Sequence, residues 1–193
     1  MVIRKTELQQ TVFNDTPFPE PIKGEIAFAG RSNVGKSSLL NAMFQRKIAK
    51  TSSKPGKTAS INFYRVNDRH FFVDLPGYGF AKVPFAEKNR WAKLVDRYFS
   101  SRVELSITMI LMDARNPLLE NDWKLIEWIS SHQIPYGFVL TKSDKLSKSV
   151  ITRQVEWVKK QLQERGDFMI FPVSATKRTG LSPLLDFLFE VIA

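Results

Sequence analysis

The sequence predicts an α/β fold in three layers: a mostly parallel sheet of about six strands, one of them antiparallel, with helices on both faces. Three observations predict it. Apolar runs of strand length alternate with helical segments of amphipathic spacing. A glycine-rich loop follows the first run, and short polar motifs follow three later ones. In folds of this class, ligands bind beyond the carboxyl ends of the parallel strands.

The predicted elements follow in order along the chain. Strands are expected near residues 25–29, 61–66, 69–74, 106–113, 135–140 and 168–173. Helices are expected near residues 36–46, 86–100, 121–131, 149–164 and 182–192. Asn67-Asp68 is typical of a tight turn, so the second and third strands should form an antiparallel hairpin.

Local patterns define some helix faces and ends. Ser182-Pro183 is typical of a helix start, with serine as the N-cap and proline at the first helical position. A core-facing stripe at helical spacing comprises Ile151, Val155, Val158 and Leu162. Residues 1–23 contain three prolines and predict an extended arm that could add a short strand. We expect one domain over residues 24–193, with no internal repeat.

Composition excludes several classes of protein. The 193 residues contain no cysteine, which excludes disulfides and thiolate metal sites and fits a reducing compartment. Only His70 and His132 could supply imidazole ligands, which disfavours a zinc site. No apolar run is long enough to span a bilayer, and the first residues lack the apolar core of a signal peptide. We therefore expect a cytoplasmic protein.

A complete phosphate-loop motif, G-x-x-x-x-G-K-[ST], is the strongest functional feature. It comprises Gly30, Arg31, Ser32, Asn33, Val34, Gly35, Lys36 and Ser37, followed by Ser38. Glycines let successive amides and a helix N-terminus point at phosphate oxygens. Lys36 would reach the β- and γ-phosphates, and the Ser37 hydroxyl would bind Mg²⁺. The alternative is a glycine-rich turn before an ordinary helix.

Two further segments extend the phosphate site. Asp74-Leu75-Pro76-Gly77 follows an apolar strand and offers a carboxylate to Mg²⁺ and a backbone N–H to the γ-phosphate. Thr58 could close over Mg²⁺ and the γ-phosphate. Lys36 and Thr58 are the candidate catalytic residues. The other expected nucleotide contacts in the Thr58 loop are Gly56, Lys57, Ala59 and Ser60. Taken alone, Asp-x-x-Gly is a common turn and Thr58 a solvated loop residue.

The base is indicated by Thr141-Lys142-Ser143-Asp144, directly after an apolar run. Asp144 can accept hydrogen bonds from guanine N1–H and the N2 amine, whereas adenine offers no matching donor pair and would leave the carboxylate unpaired. The Lys142 stem can lie along the base. The last predicted strand is followed by the segment Val173-Ser174-Ala175, in which a backbone N–H could donate to guanine O6. The sequence therefore predicts GTP and GDP as ligands.

These motifs in this order resemble those of translation-factor-class GTPases. More narrowly, the chain resembles the EngB (YihA/YsxC) family of bacterial ribosome-biogenesis GTP-binding proteins, within the TrmE-Era-EngA-EngB-like group, through GRSNVGKSSLLN, TSSKPGKT, NFY, DLPGYGFAKV and TKSD. The resemblance runs from about Gly24 to the last residue. Thr141 stands where asparagine is usual in GTPases, although EngB-like proteins carry threonine there. How strongly Thr141 ties the base loop to the phosphate loop stays open.

The resemblance implies a P-loop GTPase fold and a Mg²⁺-dependent switch in assembly of the large ribosomal subunit, needed for normal cell division and septation. Hydrolysis should be slow, because Tyr78 occupies the position of the glutamine that orients water in Ras-like enzymes. No arginine finger is identifiable. Asn33 matches a position where some related GTPases bind K⁺, and the alternative for Asn33 is a simple turn residue.

Charge suggests a polyanionic partner. The net charge is +10, and residues 26–67 contain eight basic residues and no acidic one. This basic stretch has two interpretations. It could bind RNA, with rRNA of the large subunit as partner, or it could be a solvated basic face without a partner. Alternative functions are a signalling or septum-associated scaffold GTPase that does not act on RNA, and a P-loop small-molecule kinase or ATPase. We expect a monomer. We also expect no stable membrane anchor, since the chain has neither a terminal cysteine nor a Met-Gly start.

Overall fold

The computed structural model of the chain describes residues 2–49, 60–78 and 85–193, without the side chains of residues 85–88. Seven strands are found there: β1 Thr6–Val12, β2 Gly24–Gly30, β3 Ile61–Val66, β4 His70–Asp74, β5 Leu105–Asp113, β6 Tyr136–Thr141 and β7 Ile170–Pro172. The α-helices of this part of the chain are α1 Lys36–Phe44, α2 Phe85–Ser101, α3 Glu120–Ser131, α4 Lys148–Leu162 and α5 Leu181–Val191. Short 3₁₀ turns cover Ser143–Lys145 and Gln163–Arg165.

The seven strands form one sheet in the order β1-β3-β4-β2-β5-β6-β7. Among the described strands, β3 alone runs against the others, pairing antiparallel with both β1 and β4. The predicted turn joins β3 to β4, with Asn67 and Asp68 both at positive φ (50° and 59°), as a tight hairpin turn requires. The predicted α/β class and mostly parallel sheet are therefore confirmed, with a seventh strand at the edge.

Helices cover both faces of the sheet, because the central strands bury side chains on both sides. All seven residues of β2 are buried, which is typical of a parallel strand between two helical layers. Ile26 and Phe28 pack in one core with residues of α1 and α5. Ala27 and Ala29 pack in the other core, with residues of α2, α3 and α4.

Two sequence-based expectations need correction or refinement. Helix α5 begins at Leu181, not at Pro183, because Gly180 at φ 74° is the N-cap and the preceding chain turns sharply there. Ser182 is therefore inside the first turn instead of capping it. On α4, Val158 and Leu162 are buried as predicted, whereas Ile151 and Val155 are half-buried.

The N-terminal residues are attached to the sheet and to α2. β1 lies within the segment predicted as an extended arm, and it is the edge strand beside β3. Beyond β1, the Arg97 guanidinium donates to the carbonyls of Asn14 (2.7 Å) and Thr16 (2.8 Å). Arg102 donates to the carbonyl of Pro19 (2.8 Å). A domain boundary at residue 23 stays a prediction.

Within the described ranges, no helix combines the length and the apolar composition that a bilayer crossing needs.

Candidate functional site

The phosphate loop connects the central strand to the first helix. β2 ends at Gly30 and α1 begins at Lys36. Gly35 is the N-cap of α1 at φ 107°, a conformation that residues with a Cβ rarely adopt. The first-turn amides of a helix have no intrahelical partners, so those of α1 are directed out of its N-terminus. The loop therefore forms the kind of cradle that binds phosphate.

Lys36 meets the carboxylate predicted to share its site. Asp74 is the last residue of β4 and lies beside Phe28 of β2, so it reaches the same edge of the sheet as the phosphate loop. The Lys36 ammonium donates a hydrogen bond to Oδ1 of Asp74, and both side chains are about nine-tenths buried. Ser37 follows on the first turn of α1 and is half-buried. The lysine and the carboxylate are therefore in contact, and Ser37 is the next residue of α1; their roles in binding phosphate and Mg²⁺ stay predictions.

Hydroxyl and carboxylate oxygens, such as those of Ser37 and Asp74, are the ligands that Mg²⁺ prefers in proteins. The described part of the chain holds no group of three or more His, Cys, Asp or Glu side chains able to bind a metal.

The chain after Asp74 runs along the phosphate loop. The Ser32 amide donates to the Tyr78 carbonyl (3.0 Å). A Cβ on Gly77 would come within 2.9 Å of Oγ of Ser32, so glycine permits this close approach. This contact places the Gly77 backbone directly beside the loop that binds phosphate.

The Tyr78 side chain points to α3. Its hydroxyl donates to Oδ1 of Asp122 (3.0 Å), and Nε of Arg31 donates to the same oxygen (2.9 Å). Asp122 is fully buried, and its other oxygen accepts from the Leu119 amide (3.0 Å). Burial raises the pKa values of both Tyr78 and Asp122. Tyr78 is therefore a neutral anchor between the phosphate loop and α3.

A cavity of about 180 Å³ lies beside the phosphate loop. It is lined by residues of the loop, of the predicted base motif and of the segment after β7: Gly35, Ser38, Leu39, Thr141, Lys142, Asp144, Lys145, Val173, Ala175 and Thr176. The Ser174 hydroxyl donates to Oδ1 of Asp144 (2.6 Å), and this bond lowers the pKa of Asp144. The Asp144 carboxylate thus favours its ionised form at the cavity wall, where it can accept hydrogen bonds.

Thr141 and Lys142 tie the base motif to the phosphate loop. The Thr141 hydroxyl lies 2.6 Å from the Val34 carbonyl and 3.1 Å from the Met112 carbonyl. It has one proton, so one of these bonds forms at a time, and the shorter distance favours Val34. The Lys142 ammonium donates to the Asn33 carbonyl (2.8 Å). Thr141 therefore keeps a link to the phosphate loop.

The segment predicted to meet guanine O6 uses two of its three amides internally. The Val173 amide donates to the Leu140 carbonyl (2.8 Å), and the Ser174 amide donates to the Thr179 carbonyl (3.0 Å). Ala175, which lines the cavity, is thus the residue of this segment whose amide can meet a base.

The predicted residues that the structure describes gather at one edge of the sheet. Residues 30–38 follow β2, residues 74–77 follow β4, residues 141–144 follow β6 and residues 173–175 follow β7. Ser60 lies just before β3 and is half-buried. Gly56, Lys57, Thr58 and Ala59 lie outside the described residues, as do Lys50 and Lys54 of the basic stretch.

Sequence reasoning missed three charged residues at this edge: Asp113, Arg115 and Asp122. Asp113 ends β5, where its carboxylate binds Arg115 and Lys142. Asp113 had a usable pattern, because it follows an apolar strand in the same way as Asp74. Asp122 had none, since its partners Arg31 and Tyr78 are distant in sequence.

Comparison with known proteins adds independent information. A profile of the family described as 50S ribosome-binding GTPase matches residues 25–142. The chain is 53% identical over 188 residues to a probable GTP-binding protein EngB of Kosmotoga olearia, covering 97% of this chain and 99% of that one.

Among solved structures, the chain is similar to a probable GTP-binding protein engB, with a TM-score of 0.69 and 21% identity over 88% of this chain and 98% of that one. It is also similar to Era in complex with MgGDPNP and nucleotides 1506–1542 of 16S ribosomal RNA, with a TM-score of 0.69 and 21% identity over 87% and 56%. At this identity, the two structures support the fold.

Proposed function

This chain belongs to the EngB family of GTP-binding proteins, which are GTPases, and on that premise we propose that it is a Mg²⁺-dependent nucleotide switch in assembly of the large ribosomal subunit. The observation that carries the proposal is the match of residues 25–142 to a family described as 50S ribosome-binding GTPase.

The site supports distinct roles for the residues around the cavity. Lys36 and the first-turn amides of α1 bind the β- and γ-phosphates. Asp144 accepts from guanine N1–H and N2, the Lys142 stem lies against the ring, and the Ala175 amide donates to O6. Ser174 acts through its hydroxyl, which fixes the Asp144 carboxylate. Adenine in this cavity would leave Asp144 buried against groups that donate nothing to it.

Ser37 and Asp74 are the described residues that would hold Mg²⁺, with Thr58 as the predicted third ligand. When bound, the ion neutralises charge on the β- and γ-phosphates. Lys36 contributes a second positive charge at the same place, and its contact with Asp74 keeps both groups at the phosphate loop.

Hydrolysis is slow in this proposal. The Tyr78 hydroxyl is bound to buried Asp122, and a tyrosine with a raised pKa cannot serve as a base near neutral pH. Asn33, at φ 62° in the phosphate loop, is the candidate for holding K⁺. A monovalent ion there would supply the charge that an arginine finger provides in other GTPases.

We propose that the partner is rRNA or ribosomal protein of the large subunit or its precursors, bound by a monomer in the cytoplasm. Lys47 is exposed, and it belongs to the basic stretch of residues 26–67 together with Lys50 and Lys54. The Era structure contains 16S ribosomal RNA, which is a precedent for RNA binding by a protein of this fold. An effect on cell division and septation would follow from ribosome supply. No observation favours the kinase alternative.

The test is co-sedimentation with large-subunit particles in GDP or a non-hydrolysable GTP analogue. Thr58 and the Gly77 backbone can contact a γ-phosphate that GDP lacks, so the analogue should bind one conformation better and increase pelleting. Binding should weaken steeply with salt, because neutralised RNA phosphates release counterions. Replacing Lys47, Lys50 and Lys54 by alanine should reduce the slope of log K against log salt by about two.

A matched control removes the same number of charges elsewhere. Alanine at Arg153, Lys159 and Lys160, all exposed on α4, should leave the salt slope near that of the wild type. If nucleotide, salt and the three loop lysines all left pelleting unchanged, the basic stretch would be a solvated face, and a scaffold role without RNA would be the better proposal.

A further inference from the structure

Asp113 has no place in the phosphate-binding or base-binding motifs, yet it lies beside them. It is the last residue of β5 and pairs in register with Thr141, the first residue of the base motif. The Ala114 amide donates to the Thr141 carbonyl (2.9 Å), which fixes the end of β5 against the start of that motif. The Asp113 carboxylate therefore stands beside the base motif, next to Lys142, which lines the proposed base pocket.

Arg115 fixes the position of this carboxylate. Its Nε donates to Oδ1 of Asp113 (2.9 Å), its Nη2 to Oδ2 (2.7 Å) and its amide to Oδ1 (3.1 Å). The Asp113 side chain is only 12% exposed. The hydrogen bond from Arg115 is the main cause of a pKa for Asp113 well below its usual range. Asp113 thus favours its ionised form and has a defined orientation.

Lys142 is the second cation on this carboxylate. Its ammonium lies 3.1 Å from Oδ2 of Asp113 and donates to the Asn33 carbonyl at 2.8 Å. At the other end, the Lys142 backbone is in the left-handed region at φ 57° and its carbonyl accepts from the Lys145 amide (3.0 Å). Both ends of the side chain are therefore held, and its methylene stem spans from the base motif to the phosphate loop.

We infer that Asp113 is a positioning residue for the guanine nucleotide: it holds the Lys142 stem extended along one wall of the pocket, where the methylene groups contact the face of the base. The inference rests on the proposed assignment of this cavity to guanine. A lysine without Asp113 would keep the bond to the Asn33 carbonyl but would sample more rotamers, and ligand binding would have to order it. Ordering one such side chain weakens binding by roughly three- to tenfold.

The experiment measures GDP release from the full-length protein by stopped-flow fluorescence. Asp113→Asn keeps the shape of the side chain and removes its charge, so GDP should leave roughly three- to tenfold faster. Lys142→Met removes the ammonium and keeps an unbranched stem. In the Lys142→Met background, Asp113→Asn should change the release rate by less than about twofold, because the residue through which it acts has already lost its charge.

Glu120→Gln is the matched control, because it removes an exposed carboxylate that pairs with Lys124 at 2.5 Å on α3. It should leave GDP release unchanged. Wild-type release rates in Asp113→Asn, or equal accelerations by Asp113→Asn with and without Lys142→Met, would overturn the inference. If Asp113→Asn does not fold, Lys142→Arg, which can still pair with Asp113, must release GDP more slowly than Lys142→Met; equal rates would also overturn it.

The guanine assignment is tested separately. Asp144→Asn should move the preference of the protein from guanine toward xanthine nucleotides. If it does not, the pocket assignment fails whatever the Asp113 variants show.

Discussion

Replacing Arg102 by methionine should destabilise the protein strongly, because it would leave a carboxylate buried without its counterion. Glu25 lies in β2 with its side chain 1% exposed, and Arg102 follows α2 with its side chain 4% exposed. Nη2 and Nε of Arg102 donate to Oε2 of Glu25 at 2.6 and 3.1 Å. Oε1 of Glu25 accepts from the Tyr98 hydroxyl (2.5 Å). In the variant, the tyrosine would be the remaining partner of the carboxylate within this cluster.

The expected loss can be placed on an energy scale. Breaking a buried ion pair from one side typically costs about 3–5 kcal/mol. Methionine keeps much of the apolar volume of arginine and the Tyr98 bond remains, so we expect a loss of about 4 kcal/mol. Domains are typically stable by about 5–15 kcal/mol. For a chain of this length, the change corresponds to a fall in Tm of about 8–16 °C.

The loss should grow with pH. Burial raises the pKa of Glu25 above its ordinary value even with Arg102 present, and removing the guanidinium should raise it further. When the pKa of a carboxyl is higher in the folded than in the unfolded state, the free energy of unfolding of the protein falls as pH rises. The fall begins near the unfolded pKa, about 4.3, and continues through the folded value. The variant should therefore be closest to the wild type near pH 5 and furthest from it near pH 8.

Urea unfolding followed by fluorescence of the four tryptophans measures these changes. Wild type and variants should be compared free of nucleotide, because bound GDP would add to the free energy of unfolding by an amount that depends on each protein's affinity for it. Adding Glu25→Gln to Arg102→Met removes the buried charge and should recover at least about 2 kcal/mol. Lys124→Met, which breaks an exposed pair with Glu120, should leave the unfolding free energy nearly unchanged. A loss below about 1 kcal/mol for Arg102→Met, or no recovery in the double variant, would refute the reasoning.

Three further predictions concern the nucleotide and pH. Asp144→Asn should weaken GTP binding by roughly 100-fold or more, since a site built for polar groups rejects a mismatched pattern strongly, and competition titration with GTP, ATP and XTP checks this. If Asn33 holds K⁺, hydrolysis should be faster in KCl than in NaCl and Asn33→Ala should abolish the difference; equal wild-type rates in both salts would remove the ion from the proposal. Burial lowers the pKa of His70 in the folded protein. As pH falls below about 6.5, the imidazole is therefore protonated in the unfolded chain before it is protonated in the folded protein, and the free energy of unfolding declines. His70→Gln should make unfolding free energy between pH 7 and 5 less dependent on pH, as chemical denaturation at each pH would show.

The parts of the site that could be predicted are those in which one local pattern determines both structure and chemistry. An apolar run followed by glycines and Lys36 fixes a strand, a loop and a helix start within 15 residues, and no distant contact is needed. The same holds for Asp74 and Asp144, each at the end of an apolar strand. Parallel strands then bring these ends together at one edge of the sheet.

The parts that escaped prediction depend on distant contacts or on weak patterns. A short strand in the arm is predicted only as an option and without bounds, because β1 has the sequence TELQQTV and buries only Thr6 and Val12 at its ends, so it lacks the alternation that identifies a strand. The orientation of Tyr78 depends on Asp122, which is 44 residues further along. Likewise, Lys142 is fixed by Asn33 and Asp113, which no spacing rule connects to it.

Different members of the predicted base motif are attached to different parts of the protein, and in the proposed site this would separate base choice from phosphate binding. Thr141 and Lys142 bond to the carbonyls of Val34 and Asn33, so they position the base motif relative to the phosphate loop. Asp144 instead bonds to Ser174, after β7. A change at Asp144 can therefore alter which base is accepted without moving the phosphate loop. Thr141→Val would remove a bond to the loop itself, so under the proposed assignment it should weaken the binding of every nucleotide, whatever its base.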